Sequence, residues 1–266
     1  MTTATALEDP RVRVAMYRSA IYEALSLGFS YPEPVLRERL IVLLEDMLEF
    51  EVEVDAEMRD RARELLAALQ ATDIVNQAVE YNRVFDQSAL CSAFETEYEA
   101  DPFAKARQLA DISGFYNAFG MDAAQARPTT NDYIGSELEF MSLLTRNEAY
   151  ATARHWTRRR DVALDAQRSF LRDHLGRWER TLCGDVDRVL ADDNDATAHF
   201  YRLLGALCER FVEGELRMFH VKPLRLKQRM TTEREPMSCP LAPDVPEAER
   251  GSLSLGDAQA LVADED

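Results

Sequence analysis

The sequence predicts an all-α protein, a single bundle of about nine or ten helices. Three observations carry the prediction. Apolar residues recur at three- and four-residue spacing along most of the chain. No segment alternates with period two for long enough to make a strand. Only 10 Gly and 10 Pro punctuate 266 residues, too few for the many turns of an all-β fold.

The elements follow in order. Asp9-Pro10 is an N-cap followed by proline at the first helical position. Val14, Tyr17, Ile21, Ala24 and Leu25 give the first helix its stripe, and it should stop before Tyr31-Pro32. Pro34 opens a second helix through Leu40, Leu44 and Met47. Asp55 caps a third, through Met58, Ala62, Leu65 and Leu69. Asp73 starts a fourth, with Val75, Val79, Asn82 and Phe85 as its predicted face. Residues 86–100 lose the period and read as a loop. Asp101-Pro102 repeats the start signal, and Gly120 suits a left-handed C-terminal cap. After an irregular stretch, a helix starts near Asp132, which is itself a candidate N-cap. A basic helix is predicted from about Arg158 to Leu182. Asp195 opens the last, through Phe200, Tyr201, Leu204, Leu207 and Phe211.

The helical domain is expected over residues 9–221. Residues 222–266 change character, basic as far as Met230 and acidic after it, and read as a flexible tail. No run approaches the roughly 18 apolar residues of a membrane span, so no stable membrane insertion is expected and the chain reads as cytoplasmic. The formal charge of −17 repels phosphate backbones and disfavours nucleic acid as a partner, while it favours cationic peptides.

Catalytic constellations are missing from the sequence. It has no phosphate-binding glycine loop, no Gly-x-Ser-x-Gly and no His-Glu-x-x-His. None of His155, His174, His199 and His220 follows a glutamate by three residues, which argues against a di-iron bundle. Asp173-His174 would be adjacent on a helix and so point about 100° apart. The four cysteines are widely spaced, and Cys239 lies in the expected tail. No catalytic residue, metal or cofactor is predicted.

Three segments combine polar and aromatic residues in an order that packing alone does not select. They are Glu80-Tyr81-Asn82-Arg83-Val84-Phe85, Ala93-Phe94-Glu95-Thr96-Glu97-Tyr98 and Asn131-Asp132-Tyr133-Ile134-Gly135-Ser136-Glu137-Leu138-Glu139-Phe140-Met141. With Tyr17 to Pro32, His174-Leu175-Gly176-Arg177-Trp178 and Phe200-Tyr201, they make an ordered set over about 200 residues. The set resembles the TorD/DmsD/NarJ-type family of cytoplasmic molybdoenzyme chaperones. Four departures stand out. Val84 replaces a leucine, Ala93 replaces a proline, Thr96 replaces a serine, and Asp132-Tyr133 replaces an Asp-His pair associated with client recognition.

The resemblance implies a TorD-like helical fold and a binding function without bond chemistry. The implied partners are the immature catalytic subunit of a molybdenum oxidoreductase of the DMSO reductase type and its twin-arginine leader. The implied oligomeric state is a monomer or a helix-exchanged dimer. An apolar groove flanked by acids would suit such a leader. The candidate client-binding residues are Tyr81, Val84, Phe85, Phe94, Glu95, Glu97, Tyr98, Asp132 and Tyr133, with Glu99 nearby. The competing readings are a helical enzyme for a metal or apolar ligand, and a helical scaffold in a regulatory complex.

Overall fold

The computed structural model describes residues 9–49, 56–85, 90–121 and 131–224. The chain divides into two units, Met1–Arg229 and Met230–Asp266, and every described residue belongs to the first. Residues 225–266, which include most of the expected tail and Cys239, lie outside the described residues, as does the Asp55 cap.

The described residues form nine α-helices, numbered in chain order. They are α1 (Pro10–Gly28), α2 (Pro34–Glu49), α3 (Ala56–Ala71), α4 (Ile74–Phe85), α5 (Pro102–Ala118), α6 (Ile134–Ala153), α7 (Thr157–Asp173), α8 (Leu175–Val189) and α9 (Ala196–Met218). No described helix is long and apolar enough to cross a membrane. Four aspartates cap helices as their local sequence dictates. Asp9, Asp73, Asp101 and Asp195 accept from the backbone N–H groups of Arg11, Val75, Phe103 and Thr197.

Three helices end in the same way. Gly120, His155 and His220 all take a left-handed φ, between 54° and 71°. After each, the next residue's N–H reaches back to the carbonyl five residues earlier: Met121 to Tyr116, Trp156 to Ala151, Val221 to Leu216. Only the glycine is legible in the sequence, because histidine rarely adopts this strained backbone region.

The core joins nearly every helix. Tyr22, Phe29, Tyr116, Phe140, Phe170, Trp178, Phe200 and Tyr201 are its largest buried side chains. Helices α1 and α6 pair over the greatest length. Their close approach is lined by Ser19 and Ser142, whose hydroxyls lie 3.0 Å apart.

Three predicted details need correction. The helix expected over 158–182 breaks at His174, whose φ of −132° and ψ of −99° are not helical. The corner needs Gly176, since a Cβ there would lie 2.5 Å from the Leu171 carbonyl oxygen. On α4, Val75 and Val79 are 68% and 63% exposed, while Gln77, Glu80, Val84 and Phe85 face inward. Hydrogen bonds turn α4 this way: Gln77 receives Arg37, and its carbonyl receives the Tyr201 hydroxyl. Glu95–Tyr98, expected as loop, is a 3-10 turn. Leu224 N–H donates to the Arg172 carbonyl.

Candidate functional site

The three polar-aromatic segments converge on one junction. A single antiparallel bridge pairs Phe94 with Tyr133. It is closed by Glu95 N–H to the Asp132 carbonyl and Ile134 N–H to the Ala93 carbonyl, both 2.9 Å. This short pairing clamps the 3-10 turn to the start of α6. The end of α4 joins through Tyr81, whose hydroxyl lies 2.8 Å from that of Tyr133. Tyr133 also donates to the Phe29 carbonyl of α1.

Asp132 does not cap its own helix. Its carboxylate accepts from Thr96 N–H at 3.2 Å and Thr96 Oγ1 at 2.6 Å. Tyr133 occupies the N-cap position of α6 with no side-chain cap bond. Gly135 is required beside it, because a Cβ there would lie 2.7 Å from the Tyr133 ring and 3.3 Å from the Ser26 carbonyl.

Glu95 is the hub of the buried part. It is fully buried and accepts from Gln108 Nε2 and from His174 Nδ1, the latter at 3.1 Å. Arg177 lies 3.5 Å from it and 3.9 Å from Glu99. The other ring nitrogen of His174 is 3.1 Å from Asp111 Oδ2, at the exposed edge of α5. Trp178 Nε1 donates to Glu137 Oε2 at 3.2 Å. The Trp178 ring also stacks at 5.3 Å on Tyr98, whose hydroxyl donates to the Ser92 carbonyl.

The candidate residues divide by exposure. Val84, Phe85, Glu95, Asp132 and Tyr133 are buried. Tyr81, Phe94, Glu97 and Tyr98 are partly exposed, and Glu97 pairs with Lys105 at 3.3 Å. Their rings are linked: Tyr81 to Tyr31 at 5.5 Å, Tyr81 to Phe85 at 5.4 Å, Phe94 to Tyr133 at 5.5 Å. The junction therefore presents an aromatic surface seated on a buried polar frame.

Sequence reasoning assigned no role to Glu137, His174 or Arg177. The signal was present in the spacing. Glu137 falls on the apolar stripe of Ile134, Leu138 and Met141, and His174 falls on that of Phe170 and Trp178. A polar residue on a buried stripe needs a partner. Among the described residues, no group of three or more His, Cys, Asp or Glu is arranged to hold a metal ion.

Two of the buried acids make stability depend on pH. Burial, and then the neighbouring charge of Glu95, pushes the Glu137 carboxyl well above the ordinary range. Burial pushes Glu179 on α8 up to about 8, against the Arg180 N–H bond that favours its charge. Both folded values exceed the unfolded ones. Their favourable contribution is full below about pH 4.5 and is lost as pH rises through the folded values. Urea midpoints should therefore be lower above about pH 8 than near pH 6. Glu179→Gln should flatten that slope and add on the order of 2 kcal/mol at the alkaline end. A midpoint that Glu179→Gln leaves unchanged across this range would contradict the assignment.

Comparison with known proteins places this junction in a family. The nitrate reductase delta subunit family matches residues 51–184, which hold the 3-10 turn, the start of α6 and the His174 corner. The chain belongs to the nitrate reductase delta subunit family. It is 24% identical over 216 residues to the perchlorate reductase assembly chaperone protein of Dechloromonas aromatica (strain RCB), covering 77% of this chain and 91% of that one. A candidate redox enzyme maturation protein from Archaeoglobus fulgidus, known from a crystal structure, aligns with a TM-score of 0.45 at 19% identity, over 72% of this chain and 93% of that one. The family resemblance drawn from the sequence is thus shown, as is the all-α fold class.

Proposed function

We propose that this protein is an assembly chaperone for a molybdenum-dependent oxidoreductase of the DMSO reductase type. It binds the immature catalytic subunit in the cytoplasm and holds it for cofactor insertion. It also binds the subunit's twin-arginine leader, which delays export. The observation that carries the reading is the convergence of three ordered segments on one junction, in a chain that belongs to this family. The similarity to an assembly chaperone supports it.

The division of labour follows from burial. Tyr81, Phe94 and Tyr98 offer apolar area to the leader's helix, at about 25 cal/mol per Å² buried. Glu97 faces its arginines from the rim. Val84, Phe85, Glu95, Asp132 and Tyr133 hold those groups in place. Binding is stoichiometric and breaks no bond in the client. Release requires moderate affinity.

Calorimetry with the synthetic leader of the catalytic subunit tests the reading. A dissociation constant of about micromolar is expected, weakening with salt. Glu97→Lys should weaken it about tenfold without unfolding the protein. An intact protein that takes up no leader at low salt would overturn leader recognition.

A further inference from the structure

We propose that the turn between α6 and α7 is a docking surface for an anionic phospholipid bilayer. It adsorbs to the bilayer without inserting a helix. The proposal is independent of leader recognition, because the junction lies at the opposite end of both helices. Tyr133 and His174 are at the junction end, and Arg154 and Thr157 are at the turn. The 20 residues of α6 separate the two ends by about 30 Å.

The local charge is the reverse of the whole chain's. The protein carries −17, yet residues 146–160 hold Arg146, Arg154, Arg158, Arg159 and Arg160 against the single acid Glu148. Glu148 is engaged elsewhere, with the buried Arg18. Arg160 pairs with its neighbour Asp161. Among the described residues, Arg154, Arg158 and Arg159 form no ion pair. A Debye length of about 8 Å at physiological salt means that an approaching surface feels this corner rather than the distant acids.

Stability does not explain the arrangement. Arg158, Arg159 and Arg160 occupy the first turn of α7, where the helix dipole disfavours cations; that turn holds no acid, and only Arg160 finds one just beyond it, in Asp161. Aromatic rings hold two of the free guanidinium groups outward. Arg154 lies over Tyr150 at 5.3 Å and Arg159 over Trp156 at 4.3 Å. The two rings meet edge to face at 5.6 Å. Tyr150 and Trp156 are 54% and 40% exposed.

The shape selects a bilayer over an acidic peptide. Residues 154–159 are six successive exposed positions, which make an outward corner rather than a groove. Arginine with tryptophan and tyrosine is the combination that rests at a lipid headgroup layer. A flat anionic surface meets such a corner without needing a cleft.

Trp156 reports on the contact directly, because the chain's other tryptophan, Trp178, is fully buried. The full chain should sediment with vesicles of equimolar phosphatidylglycerol and phosphatidylcholine at about 0.1 M salt, where the distant acids are screened. It should not sediment with phosphatidylcholine alone. Trp156 emission should shift to the blue on binding. The Arg154→Gln/Arg158→Gln/Arg159→Gln variant should keep its helical circular dichroism and lose on the order of a hundredfold in partitioning. The corresponding lysine variant should retain most of it. Absence of sedimentation at about 0.1 M salt would overturn the proposal. So would vesicle binding that the glutamine variant leaves unchanged, or binding of a glutamate-rich peptide with no binding of vesicles.

Discussion

Replacing Arg18 with methionine is expected to cost about 3–5 kcal/mol of folding stability. Arg18 is buried on α1 and ties together four helices. Its guanidinium grips Glu215 of α9 at 2.8 and 2.6 Å, in the bidentate manner that only arginine offers. The same group reaches Glu148 of α6 at 2.8 Å and Gln167 of α7 at 2.6 Å. Tyr22 adds a hydroxyl donor to Glu215 at 3.0 Å.

Burial works against the Arg18 charge, and Glu215 followed by Glu148 outweighs it, so the group stays protonated throughout the accessible pH range. Methionine keeps the volume but abandons two carboxylates in the interior. The cost therefore lies in stranded charge rather than in lost packing. Arg18→Met combined with Glu215→Gln should recover part of the loss, since one stranded charge is removed. Urea denaturation monitored by circular dichroism measures both. A single-variant loss below about 1 kcal/mol would mean the network is nearly neutral to stability.

Glu95→Ala should cost about 3 kcal/mol, and its effect should reach binding as well as folding. The substitution strands Gln108, His174 and Arg177 at once, and these come from α5, the α7–α8 corner and α8. It also leaves Glu137 without the carboxylate that shares its buried site. The 3-10 turn that carries Phe94, Glu97 and Tyr98 should loosen from α8. Leader affinity should fall although Glu95 itself is buried and cannot touch a leader. Glu95→Gln keeps an acceptor oxygen and should lose less on both counts. Equal loss of binding in the alanine and glutamine variants would contradict a positioning role.

Much of this architecture is legible because its causes are local. An aspartate before proline dictates a helix start at Asp9 and Asp101, whatever surrounds it. The buried stripes of α2, α6 and α9 follow from spacing within each helix. The details that spacing misjudges have distant causes. His174 breaks a helix where its ring finds Glu95 and Asp111, 79 and 63 positions away. Val75 and Val79 face outward because Gln77 bonds to Arg37 and Tyr201 from other helices. Asp132 has the sequence of a helix cap, yet it serves Thr96 in a different segment.

For the candidate site, order along the chain foretold proximity but not depth. Tyr81, Phe94 and Tyr133 do meet, as their shared pattern suggests. Phe85 lies on the face its spacing predicts, but burial of Val84, Glu95, Asp132 and Tyr133 depends on which helix covers each one, and no local signal encodes that.

The most direct measurement is co-expression of this chain with a molybdoenzyme catalytic subunit encoded in the same genome, in cells unable to make the molybdenum cofactor. Affinity purification should yield a stoichiometric complex with the cofactor-free subunit, and supplying the cofactor should dissolve it. A catalytic subunit that matures fully without this chain, and never co-purifies with it, would contradict the chaperone function.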